Sequence, residues 1–116
     1  KYRYLSEESH ATQTISIDDF VFKRGEVSSR LPDQAAPRPI PRAITIDVEG
    51  FEALVLRGAL ETLRAHRPLV WVSIHPEMAS ARGSSAAEVH KLMADAGYGK
   101  EYIATDHEEH WLFSPL

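Results

Sequence analysis

The sequence predicts an α/β fold in which parallel strands alternate with helices and the chain closes in an antiparallel hairpin. Three observations carry this. Ala43–Asp47 and Leu69–His75 are short, nearly continuous apolar runs, the pattern of parallel strands covered on both faces. Each is followed by apolar residues at helical spacing. Finally, Tyr98–Thr105 and His110–Phe113 read as two strands joined at Asp106-His107-Glu108-Glu109. The order strand, helix, strand, helix, hairpin is that of a parallel sheet with an antiparallel end.

Size and charge bound what the chain does. With 116 residues it forms one domain, 1–116, large enough for a core but small for a complete doubly wound enzyme. Hydrophobic residues make up 43% and charged residues 26%, as in ordinary globular proteins. A formal net charge of −4 disfavours non-specific binding to nucleic acid or to an anionic membrane, and neither is an expected partner. No apolar run approaches the roughly 20 residues that span a bilayer. The chain has no cysteine, so it carries no disulfide framework and no thiolate zinc site, and a reducing cytoplasm is the expected compartment. It begins Lys1-Tyr2-Arg3, without an initiator methionine, and a native start upstream is expected.

The first ten residues are polar and give no assignment. Thr12–Ile17 has the β-branched alternation of a strand. Ser16 followed by Asp18 and Asp19 then signals a helix start, with acids at its positive end. From Gly25 to Arg42 the periodicity vanishes and Pro32, Pro37, Pro39 and Pro41 fall together, which reads as an exposed connection stiffened by polyproline II geometry.

The strand 43–47 follows. After Gly50, apolar residues at Leu56, Ala59, Leu60 and Leu63 mark one helical face. Gly58 interrupts that face at a cost of about 1 kcal/mol relative to alanine, so either the helix breaks there or something packs closely on its backbone. Pro68 precedes the second strand, 69–75. Pro76–Ser84 reads as a loop. Ser85-Ala86-Ala87-Glu88 then spells a capping box, with Glu88 reaching back to the Ser85 backbone. Val89, Leu92, Met93 and Ala96 continue as a helical stripe that Gly97 caps.

The strand ends carry the chemistry. The first stops at Asp47-Val48-Glu49-Gly50 and the second at His75-Pro76-Glu77, and ligands of open α/β sheets bind at that edge. Were 43–47 an edge strand, it would leave an apolar rim without charge or proline, which native proteins rarely tolerate. An upstream segment or a second copy of the chain is therefore expected to cover it.

Several stretches resemble the FkbM-type S-adenosylmethionine-dependent methyltransferases. They are Thr14-Ile15-Ser16-Ile17-Asp18-Asp19-Phe20, the block Ile46-Asp47-Val48-Glu49-Gly50-Phe51-Glu52-Ala53-Leu54-Val55-Leu56-Arg57-Gly58-Ala59, Arg67-Pro68, Ile74-His75 and Ala96-Gly97-Tyr98. The Asp-Val-Glu-Gly block with its Leu-Arg-Gly tail is the most specific, and the resemblance spans roughly residues 12 to 113. It implies the C-terminal half of a Rossmann-like methyltransferase sheet, because the family's glycine-rich cofactor loop has no counterpart here. It further implies S-adenosyl-L-methionine as cofactor and methyl transfer to an oxygen of a small molecule or sugar. Asp47 and Gly50 are then assigned to the cofactor, and Asp47, Glu49 and His75 to catalysis, with Glu49 or His75 removing the acceptor proton. No metal is assigned. The family usually has glutamate where Ser73 stands, which separates this chain from the common pattern.

Other readings of the same residues stand beside this one. Glu49 as a helix-capping acid and His75 as a strand-end histidine bonded to backbone are plain structural roles. Asp47, Glu49, His75 and Glu77 at neighbouring strand ends would suit a metal-dependent hydrolase. A non-catalytic remnant or interaction module is the third possibility. His107 and His110 read as parts of a solvated turn, Trp71 as core, Trp111 as packing on the last helix, and Arg57, Arg64 and Arg67 as a solvated helix face.

Overall fold

A computed structural model describes residues 13–32 and 35–116. The polar stretch 1–10, Thr12 and the pair 33–34 lie outside the described residues. The elements are α1 (Ile17–Val21), α2 (Gly25–Ser29), β1 (Ala43–Ile46), α3 (Glu52–Arg57), α4 (Leu60–His66), β2 (Leu69–Ile74), α5 (Pro76–Ala81), α6 (Ala86–Asp95), β3 (Tyr98–Thr105) and β4 (Glu109–Pro115).

The four strands form one mixed sheet in the order β1-β2-β4-β3. β1 runs parallel to β2, with Ile44 opposite Val70 and Ile46 opposite Val72. β4 runs antiparallel to both β2 and β3. The hairpin therefore does not simply extend the sheet outward. Its second strand lies inside, against β2, and its first strand forms the far edge. As a result the turn Asp106–Glu108 sits at the same rim as the ends of β1 and β2.

Alternation decides which face is buried. Ile46, Val70, Val72, Ile74, Tyr98 and Phe113 point to one side and meet Leu56, Leu63, Val89 and Met93 of the helices in a single core. The other side is open toward β1 among the described residues, where Ala43 and Thr45 are exposed and Leu69 is 46% exposed, although Ser73 on that side is buried against His110. The expectation of strands covered on both faces is thus corrected, and Trp71, which alternates onto the open side, is half-buried rather than core. β1 forms the near edge of the sheet.

Local chemistry accounts for the remaining differences. Residues 13–16 are irregular rather than a strand, because Ser16 accepts the Asp19 amide at 3.0 Å and starts α1 instead. The proline-rich connection 25–42 begins with α2 before it becomes irregular. The helical face after Gly50 divides into α3 and α4 at Gly58-Ala59. Both suggested causes operate there: Gly58 ends α3, and a Cβ on it would lie 3.0 Å from that of Ser16. α4 has no cap of its own, so the buried Asp18 carboxylate supplies one, accepting the amides of Glu61 and Thr62 at 3.1 and 2.8 Å.

Pro76–Ser84 is not a loop, since α5 occupies most of it. Proline at the first helical position presets φ and loses no hydrogen bond, as that amide has no helical partner in any case. Ser85 accepts the Glu88 amide at 3.2 Å as the capping box requires. The Glu88 carboxylate, however, turns to the Ser84 hydroxyl and to Arg57. Arg67 also leaves the expected solvated face. Its guanidinium donates to the carbonyls of Ala96 and Gly97 at 2.7 and 2.8 Å, capping the end of α6, and lies over the Tyr98 ring.

Candidate functional site

Parallel pairing of β1 with β2 brings the two strand ends to one rim. β1 stops at Ile46, and Asp47 follows it as an exposed residue. Glu49 (φ 50°) and Gly50 (φ 103°) then turn the chain left-handed into α3. Only glycine fits the second of these positions. A Cβ on Gly50 would lie 2.6 Å from the Met78 carbonyl carbon, so this turn is seated directly on α5. Two further groups clamp it. Glu52, 1% exposed, accepts the Gly50 amide at 2.8 Å, and Arg82 donates to the Glu49 carbonyl at 3.0 Å. The second Glu52 carboxylate oxygen is buried without a hydrogen-bond partner.

At the end of β2, His75 is the N-cap of α5, and its Nδ1 is buried without a partner. Asp47, Glu49 and His75 line one cleft of about 270 Å³. His107 and Glu108 complete its wall. A second cleft of about 470 Å³ shares His75, His107 and Glu108 with the first and continues past Pro76, Glu77 and Asp106. Glu77 therefore lies beside the strand-end trio but in the adjoining cleft. Gly50 lines neither cleft; its place is beneath the turn that presents Glu49. Among the described residues a wider cavity, about 630 Å³, is an apolar groove along Ile15, Ile17, Leu54 and Val55, and it shares no residue with the rim.

The turn between β3 and β4 is only partly the solvated turn expected of it: Asp106 and His107 are exposed, but Glu108 is buried and His110 is half-buried. Glu108 is only 6% exposed and its carboxyl is in hydrogen-bonding contact with that of Asp47. This contact, together with burial, pushes the Glu108 pKa above the ordinary glutamate value. His107 lies on its other side, 3.4 Å from Nε2 to Oε1. The Asp106 pKa is lowered, chiefly because its carboxylate accepts the Glu108 amide at 2.9 Å and also faces His110. His110 continues inward: Nε2 lies 3.1 Å from Asp106 and Nδ1 lies 2.8 Å from the buried Ser73 hydroxyl. The Trp71 indole donates to the same hydroxyl at 3.3 Å. Trp111, by contrast, sits where expected, with the His90 ring of α6 edge-on at 4.6 Å.

Sequence reasoning missed Glu108 and Glu52. The available signal for Glu108 was a turn richer in ionisable groups than a tight hairpin requires. For Glu52 it was an acid on the otherwise apolar start of α3. Asp106, His107 and Glu108 each offer a ligand atom within 4.8 Å of the others, a spacing compatible with a metal ion.

Carboxylates and imidazoles thus converge at the carboxyl rim of the parallel strands of an α/β protein, the edge at which open α/β sheets bind ligands. The model of the Methyltransferase FkbM domain matches residues 4–99, well over half of the chain. The chain belongs to the FkbM methyltransferase domain family, and its general class is methyltransferase. No curated protein and no solved structure matches it.

Proposed function

We propose that the chain is an S-adenosylmethionine-dependent methyltransferase domain that methylates an oxygen of a small molecule or sugar. The observation that carries this is the convergence of Asp47, Glu49 and His75 in one cleft, in a chain of the FkbM family. A Rossmann-like reading of the mixed sheet and a cytoplasmic location belong to the same proposal.

The residues present suit one end of the cofactor. The first cleft, about 270 Å³, falls below the usual range for a whole small ligand, roughly 300–1,000 Å³. Its wall carries the carboxylates of Asp47, Glu49 and Glu108, which complement the cationic methionyl amine and sulfonium. Asp47 would hold that end, and Gly50 would act by fixing the turn that aims Glu49. When bound, the cofactor supplies an electrophilic methyl group. The chain's own residues do the rest: His75 or Glu49 takes the acceptor proton, and the wall of the cleft orients the hydroxyl. The remainder of the pocket would come from an upstream segment or a second copy laid along the open β1 edge, which has no charge or proline to keep a further strand away.

A second reading draws on the Asp106, His107 and Glu108 spacing, which would let the rim, with Asp47, Glu49, His75 and Glu77, hold a divalent cation for hydrolysis. Calorimetric titration with S-adenosylhomocysteine, with chelator and then with Mg²⁺ or Zn²⁺, separates the readings. Saturable, metal-independent binding supports the methyltransferase, with affinity weaker than micromolar expected of a partial pocket. Heat only on adding metal favours the hydrolase. Silence in both arms points to a pocket that needs its upstream half, or to a non-catalytic remnant or interaction module.

A further inference from the structure

The amino ends of β1 and β2 lie at the edge of the sheet away from the rim, and two further clefts meet there. Ile40 and His66, shortly before Ala43 and Leu69, line the first, of about 490 Å³, together with Phe22 and Lys23. The second, of about 430 Å³, runs along Phe20, Leu31 and Pro39. Pro37 and Arg38 belong to both.

Arg38 is the unusual member. Its guanidinium lies 4.9 Å over the Phe20 ring, and its Nε and Nη2 are buried without a hydrogen-bond partner. A guanidinium keeps its charge on burial, and a buried donor left without an acceptor is costly. Contact with a ring face supplies no lone pair in line with an N–H group, so Phe20 does not meet that need. No acidic side chain is among the described residues that line either cleft, and Asp19 of α1 and Glu61 of α4 pair with Arg24 instead.

We propose that Arg38 anchors a binding site at this edge for a small oxyanion, a carboxylate or phosphate carried on a flat apolar body. The proposal goes beyond the methyltransferase reading and does not depend on it, because these clefts share no residue with those of the rim. The oxyanion follows from the guanidinium, whose planar fork presents paired donors at the spacing of carboxylate or phosphate oxygens. Lys23 brings a second basic group to the same cleft, in a chain whose net charge is −4. The flat apolar body follows from the rest of the lining. Phe22 and Ile40 are exposed there, and the His66 ring stacks on Phe22 with centroids 5.7 Å apart and planes 19° from parallel. Such a wall suits a planar ring. At about 490 Å³ the first cleft lies within the usual range for a small ligand, roughly 300–1,000 Å³.

The test is NMR on the full chain, following backbone amides and the Arg38 Nε–H. The probes are phenyl phosphate, benzoate, inorganic phosphate and benzyl alcohol. At least one of phenyl phosphate and benzoate is expected to shift the Phe22, Lys23 and Ile40 amides and the Arg38 Nε–H saturably, and the tighter of the two tells which oxyanion the site takes. Inorganic phosphate, without the ring, and benzyl alcohol, without the charge, are each expected to bind about tenfold more weakly or not at all. Arg38→Gln should weaken the tighter probe by about tenfold or more, and so should Arg38→Lys, which keeps the charge and loses the fork. The lysine variant decides the matter if the glutamine variant does not fold. Failure of both ring-bearing anions to saturate, undiminished binding to Arg38→Lys, or benzyl alcohol or inorganic phosphate binding as tightly as the ring-bearing anions would overturn the proposal.

Discussion

The Ser73 hydroxyl lies 2.8 Å from His110 Nδ1, and the opposite nitrogen of that ring lies 3.1 Å from Asp106. Serine thus reaches a carboxylate through an imidazole, at a position where the resembling family usually carries glutamate. Ser73→Ala removes the buried hydroxyl that both the His110 ring and the Trp71 indole contact, and should cost about 1–2 kcal/mol. Urea denaturation checks this; a loss below about 0.5 kcal/mol would mean that the ring and the indole find other partners.

Glu108 predicts a pH dependence of stability. A carboxyl whose pKa is raised on folding stabilises the fold fully below its ordinary value, 4.5, and loses that contribution as pH rises through the folded value. Asp106 has the opposite sign: its lowered pKa adds stability above the ordinary aspartate range that disappears as pH falls through the folded value. Urea midpoints measured between pH 3 and 8 are therefore expected to decline on the alkaline side of the ordinary glutamate range. Glu108→Gln should remove that decline. If the variant and the wild type keep parallel curves, Glu108 is not the group responsible.

Much of this architecture was legible in the chain and part was not. The apolar runs at 43–47 and 69–75 gave β1 and β2, and Ser16 and Ser85 marked helix starts, because these signals are local. The insertion of β4 between β2 and β3 depends on long-range pairing, which no local pattern encodes. That insertion is why Glu108 is buried beside Asp47 instead of solvated in a turn. Likewise α5 escaped notice because a single turn and a half, Pro76–Ala81, is too short for a periodic signal. Asp47, Glu49 and His75 could be grouped from the sequence since all three lie just beyond parallel strands, where adjacency follows from the pairing itself.

Gly50 fixes the turn at the rim, and its substitution should be costly. With φ at 103° and the Met78 carbonyl carbon 2.6 Å from a new Cβ, Gly50→Ala must strain the backbone and displace α5. A loss of about 3 kcal/mol is expected in urea unfolding, combining left-handed strain with the clash. A loss below about 1 kcal/mol would show that α5 yields easily.

Asp18 caps α4 from α1, and its carboxylate also accepts the Thr62 hydroxyl at 2.7 Å. Asp18→Ala leaves two amides and a buried hydroxyl without their acceptor, and should cost about 2–4 kcal/mol. Thr62→Val removes only the hydroxyl contact and should cost about 1 kcal/mol. Thermal denaturation of both variants checks the ordering, and equal losses would contradict a capping role.

The central claim is that the rim at the end of β1 receives the methyl donor. Amide chemical shifts recorded with millimolar S-adenosylhomocysteine, in the presence of chelator, test it most directly. The account predicts shifts concentrated at Asp47–Gly50 and His75, and their loss in Asp47→Asn. Shifts confined to the apolar groove of Leu54 and Val55, or none at the rim, would contradict it.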